Sequence, residues 1–105
     1  MSHQVITIDA NGNANPDQQP ISMKDADTVD WQSADGKEWM VVFRGNCPFT
    51  DRDFHVPAKL RSRVAQQCSG LQKGEHYIYT VAPWPPIGAG GSGGGGADPV
   101  IIIIP

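Results

Sequence analysis

Four side chains in the middle of the chain are of the kinds that bind metals or exchange electrons: Cys47, His55, Cys68 and His76. They follow one another as Cys-x7-His-x12-Cys-x7-His, two thiols and two imidazoles, a donor set that zinc accepts. Neither the cysteines nor the histidines form the close pair of a zinc knuckle, so a metal site needs a fold that gathers all four from separate segments. The two cysteines also support plainer readings. Cys47 and Cys68 can form a disulfide, worth about 3 kcal/mol by loop closure in an oxidising compartment, or remain small inert thiols. A redox-active dithiol is a further alternative, and it requires one cysteine to be exposed with a lowered pKa.

Nucleophilic or acid/base catalysis has less to draw on. Cys47 with His55, or Asp51 and Asp53 with His55, are the available combinations, and Asp51-Arg52-Asp53 reads more simply as a solvated turn. The expectation is a protein that is not an enzyme and carries no cofactor.

These residues must be positioned by strands. Val5-Ile6-Thr7-Ile8 is a β-branched run followed by turn formers from Asp9 to Gln19, and Pro20 to Met23 reads as a second short strand. Thr28 to Phe43 holds two apolar runs about Asp35-Gly36, the pattern of a hairpin. Trp39-Met40-Val41-Val42-Phe43 is nearly continuous, as expected of a central strand covered on both faces. Around 57–68, Val56, Leu60, Val64 and Cys68 recur at helical spacing, with Pro57 placed for a first turn and Gly70 for a cap, while Leu60, Ser62 and Val64 alternate with arginines as in a strand. Gly74 to Val81 is a strand rich in aromatic residues. The Pro- and Gly-rich stretch 82–97 reads as a flexible loop before Val100-Ile101-Ile102-Ile103-Ile104, a strand apolar on both faces that must lie between neighbours. Six or seven short strands with turn signals between them define an all-β sandwich in a single domain, 1–105.

The order Asp27-Thr28-Val29-Asp30-Trp31, Asp35-Gly36, Trp39-Met40-Val41-Val42-Phe43 and Gly74-Glu75-His76-Tyr77-Ile78-Tyr79 resembles the cupredoxin family. In that family a D-x-V-x-W strand leads through a turn to a copper histidine and an apolar strand, and a G-x-Y-x-Y/F strand leads to the copper loop. The Asp98-Pro99-Val100-Ile101-Ile102 ending is similar to that of small bacterial cupredoxin-like proteins. The resemblance covers about two thirds of the chain. It implies a Greek-key β-sandwich of about seven strands, with the Gly-rich loop before the last. Type 1 copper is held by two His and one Cys with a weak axial Met. Here Trp39 stands at the position of the first histidine, Thr80 or Val81 at that of the cysteine, and no His, Cys or Met follows Val81. The resemblance therefore implies the sandwich without copper and without electron transfer.

Trp84 is the remaining candidate. It sits in Ala82-Pro83-Trp84-Pro85-Pro86, where prolines hold the backbone extended, and an aromatic residue presented this way is what an interface anchor looks like. The competing expectation is that its indole folds back to plug the end of the sandwich where a cupredoxin keeps its copper.

Composition narrows the class. The net charge is -3 with no basic run, which disfavours nucleic acid as a partner. The longest apolar run, Val100–Ile104, is only strand length, so no membrane span is expected. The N-terminus does not read as a signal peptide, which fits either a cytoplasmic protein or a processed mature form. The expected function is that of a non-catalytic binding or assembly module, contacting a protein partner or a second copy of itself through the region of Trp84. The alternatives are a metal-binding protein using Cys47, His55, Cys68 and His76, or a dithiol redox protein.

Overall fold

A computed structural model describes residues 2–84 and 99–104 and is all-β, with no helix among them. The strands are β1 (His3–Ile8), β2 (Ala14–Asn15), β3 (Gln18–Ser22), β4 (Thr28–Ser33), β5 (Trp39–Phe43), β6 (Asp53–Val56), β7 (His76–Pro83) and β8 (Val100–Ile104). They form a three-stranded sheet in the order β2-β1-β4 and a five-stranded sheet in the order β3-β8-β7-β5-β6. Two pairs are parallel, β1 with β4 and β3 with β8, and the other ladders are antiparallel. No helix of the described residues is long and apolar enough to cross a membrane.

The core lies between the sheets, because each strand turns alternate apolar side chains inward. Trp31 of β4 is its centre. The indole is fully buried and stacks on Phe54 of β6 at 4.9 Å between ring centroids. It meets Tyr79 of β7 edge-on at 5.7 Å, Phe49 at 6.1 Å and Phe43 of β5 at 6.4 Å. Offset and edge-on geometries of this kind suit the ring quadrupoles and add to the gain from burial.

Several expected elements take a different form. Asp35-Gly36 does form a turn, with Asp35 Oδ1 accepting from the Lys37 N–H at 3.3 Å and Gly36 at φ 82°, but it is not a hairpin. β4 and β5 lie in different sheets, so the turn carries the chain across the core. The reason lies in the strands that flank it. Val29 and Trp31 must face Val41 and Phe43 across the interior, and hairpin pairing within one sheet would prevent that.

Residues 57–68 form neither a helix nor a continuous strand. Leu60 and Val64 are 73% and 43% exposed, so their four-residue spacing marks no buried stripe. The segment instead closes the open edge of β4 at single points: Ser62 N–H donates to the Trp31 carbonyl at 2.8 Å, and Ala65 exchanges two hydrogen bonds with Val29. The Ser62 hydroxyl accepts from the Trp31 N–H at 2.9 Å. Contacts three residues apart cannot continue a ladder of period two.

β5 alternates buried and half-buried rather than being covered on both faces. β8 lies between β3 and β7, as its composition requires, although its outward-facing residues are only partly covered. The stretch 82–97 lies outside the described residues from position 85 on.

One buried carboxylate ties three segments together. Asp27 accepts from the Ser2 N–H at 3.1 Å and from the Ser22 N–H at 2.8 Å, while Gln67 Nε2 donates to the Asp27 and Ser22 carbonyls, each at 2.9 Å. Asp27→Ala strands two backbone donors and is expected to cost about 3 kcal/mol in urea unfolding. Asp35→Ala, at an exposed turn, is expected to cost about 1 kcal/mol or less.

Candidate functional site

The four metal-type residues do not converge. Among the described residues no group of three or more His, Cys, Asp or Glu is arranged to hold a metal ion. Cys47 and Cys68 come close because the stretch 48–50 runs antiparallel to 66–68, with the Cys68 N–H donating to the Pro48 carbonyl at 2.8 Å and the Thr50 N–H to the Gln66 carbonyl at 3.1 Å. Both are free thiols and half-buried. The histidines lie on the outer face of the five-stranded sheet. His76 stands opposite Ile102, and His55 stands opposite Met40.

The Cys47 thiol is committed locally. It donates to the Asp51 carbonyl at 3.3 Å and accepts from the Phe49 N–H at 3.4 Å. Burial pushes its pKa up, opposed by the Phe49 N–H, and the nearby Cys68 adds to the rise. A redox dithiol needs the opposite shift. The suggested acid/base sets are also dispersed: the Asp51 carboxylate pairs with Arg63, and His55 Nε2 lies 3.0 Å from Glu38 Oε1.

Trp84 does not plug the end of the sandwich. The β5–β7 register sets Trp39 against Pro83, and it continues through the Trp84 N–H, which donates to the Glu38 carbonyl at 3.2 Å. The period of two then places the indole on the outer face, with Ala82. There it stacks on the His55 imidazole, 4.2 Å between centroids and 25° between planes, and is 37% exposed.

The sheet face around this group mixes apolar side chains with Thr80, Asp53 and His55. β7 presents Ile78 and Ala82 outward, β5 presents Met40 and Val42, and β8 presents Val100 and Ile102, all exposed or half-buried. Ile78 alone is 42% exposed. At the far end of β7, Arg44, Asn46, Glu75, His76, Tyr77 and Ile78 line a shallow open concavity of about 260 Å³. Its acidic group is engaged, since Glu75 accepts from the Tyr77 hydroxyl at 2.8 Å and from the Gln72 N–H at 2.5 Å.

The sequence reading missed Glu38 and the outer-face role of Met40, Ile78 and Ile102. Glu38 is an ordinary turn residue until the β5–β7 and β5–β6 registers set it beside both Trp84 and His55. The apolar run of β8 did signal an outward-facing row, though it reads equally as a strand buried on both sides.

The chain matches no protein-family model and no curated protein.

The two tyrosines carry a pH signature of this packing. Burial, then the hydrogen bond to Glu75 and its charge, push Tyr77 up to about 12 from 10.0. Burial of Tyr79 raises it further, opposed by the neighbouring Trp31 side chain. The folded state therefore holds both phenolic protons more tightly than the unfolded chain does. The stability this contributes is intact below pH 10 and is lost as pH rises beyond it. Absorbance at 295 nm is expected to show no tyrosinate step near pH 10, with Tyr77 ionising before Tyr79 as the pH rises further. A step at pH 10 in the folded protein would show that one ring is open to solvent.

Proposed function

We propose that the chain is a non-catalytic binding or assembly module on a cupredoxin-like sandwich that lacks the type 1 copper ligands, and that it contacts a protein partner or a second copy through the outer sheet face around Trp84. The observation that carries this reading is a half-exposed tryptophan on a sheet face that also leaves Ile78, Met40 and Val42 outward. Tryptophan is enriched among the residues that dominate interface energy, and contiguous apolar surface in a folded domain marks contact sites.

The cupredoxin-like part draws support from the path of the chain. β4 leads through Asp35-Gly36 into β5 of the opposite sheet, and β7 precedes the last strand. The positions that would carry copper do not fit it. Trp39 and Val81 are buried apolar residues facing the core, and Thr80 faces outward with its hydroxyl accepting from Arg44 Nε at 2.8 Å. An indole, an isopropyl group and a hydroxyl do not make the imidazole and thiolate set of such a centre.

Zinc and copper offered at one equivalent each and then removed by desalting are expected to leave no metal on the protein. Retention near one equivalent, lost in Cys47→Ala or His55→Ala, would establish a metal protein instead. Side chains kept for contact should also be dispensable for folding. The double variant Trp84→Ser, Ile78→Ser is expected to lower Tm by no more than about 4 °C, since surface substitutions rarely cost much. A drop like that of a core truncation would place both residues in the fold's own packing.

A further inference from the structure

We infer that His55, Trp84 and Glu38 form a proton-sensitive latch that pins the Trp84 indole to the sheet when His55 is protonated and loosens it when His55 is neutral. The imidazole lies between two groups that both favour a cation. On one side is the indole face, 4.2 Å away and nearly parallel. On the other is the Glu38 carboxylate, with Oε1 3.0 Å from Nε2. A cation over an indole face gains from the ring quadrupole, and a cation beside a carboxylate gains from its charge. Neutral imidazole can keep the Nε2–H hydrogen bond to Glu38 but loses the charge component of both contacts. The Trp84 N–H also bonds the carbonyl of Glu38, so one residue holds the backbone of the latch and the ring that closes it.

The charged and titratable groups around His55 come from several segments. It faces Met40 of β5, Glu38 just before that strand, and Trp84 just after β7. On its own strand the next residue on the same face is Asp53, opposite Val42. Lys37, adjacent to Glu38, is drawn the other way, with Nζ 3.8 Å from Asp35 Oδ2 and 3.4 Å from the Ala10 carbonyl. Arg44, near the other end of the face, donates through Nε to Thr80. The imidazole and carboxylate are 39% and 46% exposed, so protons reach them freely and each contact is of the modest surface kind. Together they correspond to about a five-fold change in the fraction of molecules with Trp84 off the sheet. Histidine is the side chain whose charge ordinarily changes between pH 5 and 8.

The consequence for binding rests on the contact role proposed for Trp84: raising the pH frees the anchor for a partner. The latch itself needs no partner, so it is tested on the isolated chain, and its failure would leave the contact role standing. The experiment follows the three tryptophan indole N–H resonances and the His55 Cε1–H resonance by NMR from pH 5 to 8, with Trp84→Phe to assign Trp84. The Trp84 indole is expected to titrate with the midpoint of His55 and to stop titrating in His55→Gln, which keeps a donor for Glu38 but no charge change. Acrylamide quenching of the wild-type fluorescence is expected to be greater at pH 8 than at pH 5, with the difference absent in Trp84→Phe. A Trp84 resonance that stays still while His55 titrates, or that moves equally in His55→Gln, would overturn the latch. Quenching that is stronger at pH 5 would overturn its direction.

Discussion

The packing of Trp31 between the two sheets is the interaction on which the rest of the structure depends. Trp31 belongs to the three-stranded sheet, and the rings it touches on β5, β6 and β7 belong to the five-stranded sheet. The loop ring of Phe49 completes the cluster, packing against Phe43 at 5.7 Å and Phe54 at 6.2 Å. An indole enclosed on all sides fixes the distance and orientation of the sheets at once, because interiors tolerate little change of volume. It also fixes the edge of β4. Both backbone groups of Trp31 are tied to Ser62, so the long irregular segment is drawn over that edge instead of leaving it open.

The inward faces of the strands are taken up by this packing. The interior faces of β5 and β7 carry Trp39, Val41, Tyr79 and Val81, all covered. The residues with chemical potential are displaced to the rim and the outer face. Cys47 sits in a turn that occupies its sulfur, while His55 and His76 stand on the solvent side of β6 and β7. Neither histidine is near the thiols in the way a shared metal would demand. The outer face of the five-stranded sheet is where apolar side chains and an aromatic anchor coincide. The Trp84–His55–Glu38 group sets an indole, an imidazole and a carboxylate side by side on that face.

Much of the framework was legible in the sequence because it depends on local pattern. β-branched runs marked β1 and β8, the aromatic alternation marked β7, and the crowded composition of Val100–Ile104 required neighbours on both sides, which β3 and β7 provide. What was not legible depends on long-range register. Asp35-Gly36 has the same turn chemistry whether it joins two strands of one sheet or crosses between sheets, and only the inward demand of Trp31 decides. The spacing in 57–68 satisfied two periodicities at once, and the structure uses neither, since Ser62 and Ala65 serve single contacts to β4. His55 and Trp84 were each singled out for separate chemistry. Their stacking follows from β6 and β7 both pairing with β5, which no local pattern reveals.

The aromatic side chains divide into a sealed interior and one exposed anchor, Trp84, a division that hydroxyl-radical footprinting read by mass spectrometry can resolve residue by residue. Trp84 should be the most rapidly modified of the three tryptophans, with Trp31, Trp39 and Tyr79 protected until the protein unfolds. Rapid modification of Trp31 or Tyr79 in the folded protein, or a Trp84 as protected as Trp31 in a dilute monomer, would contradict the account.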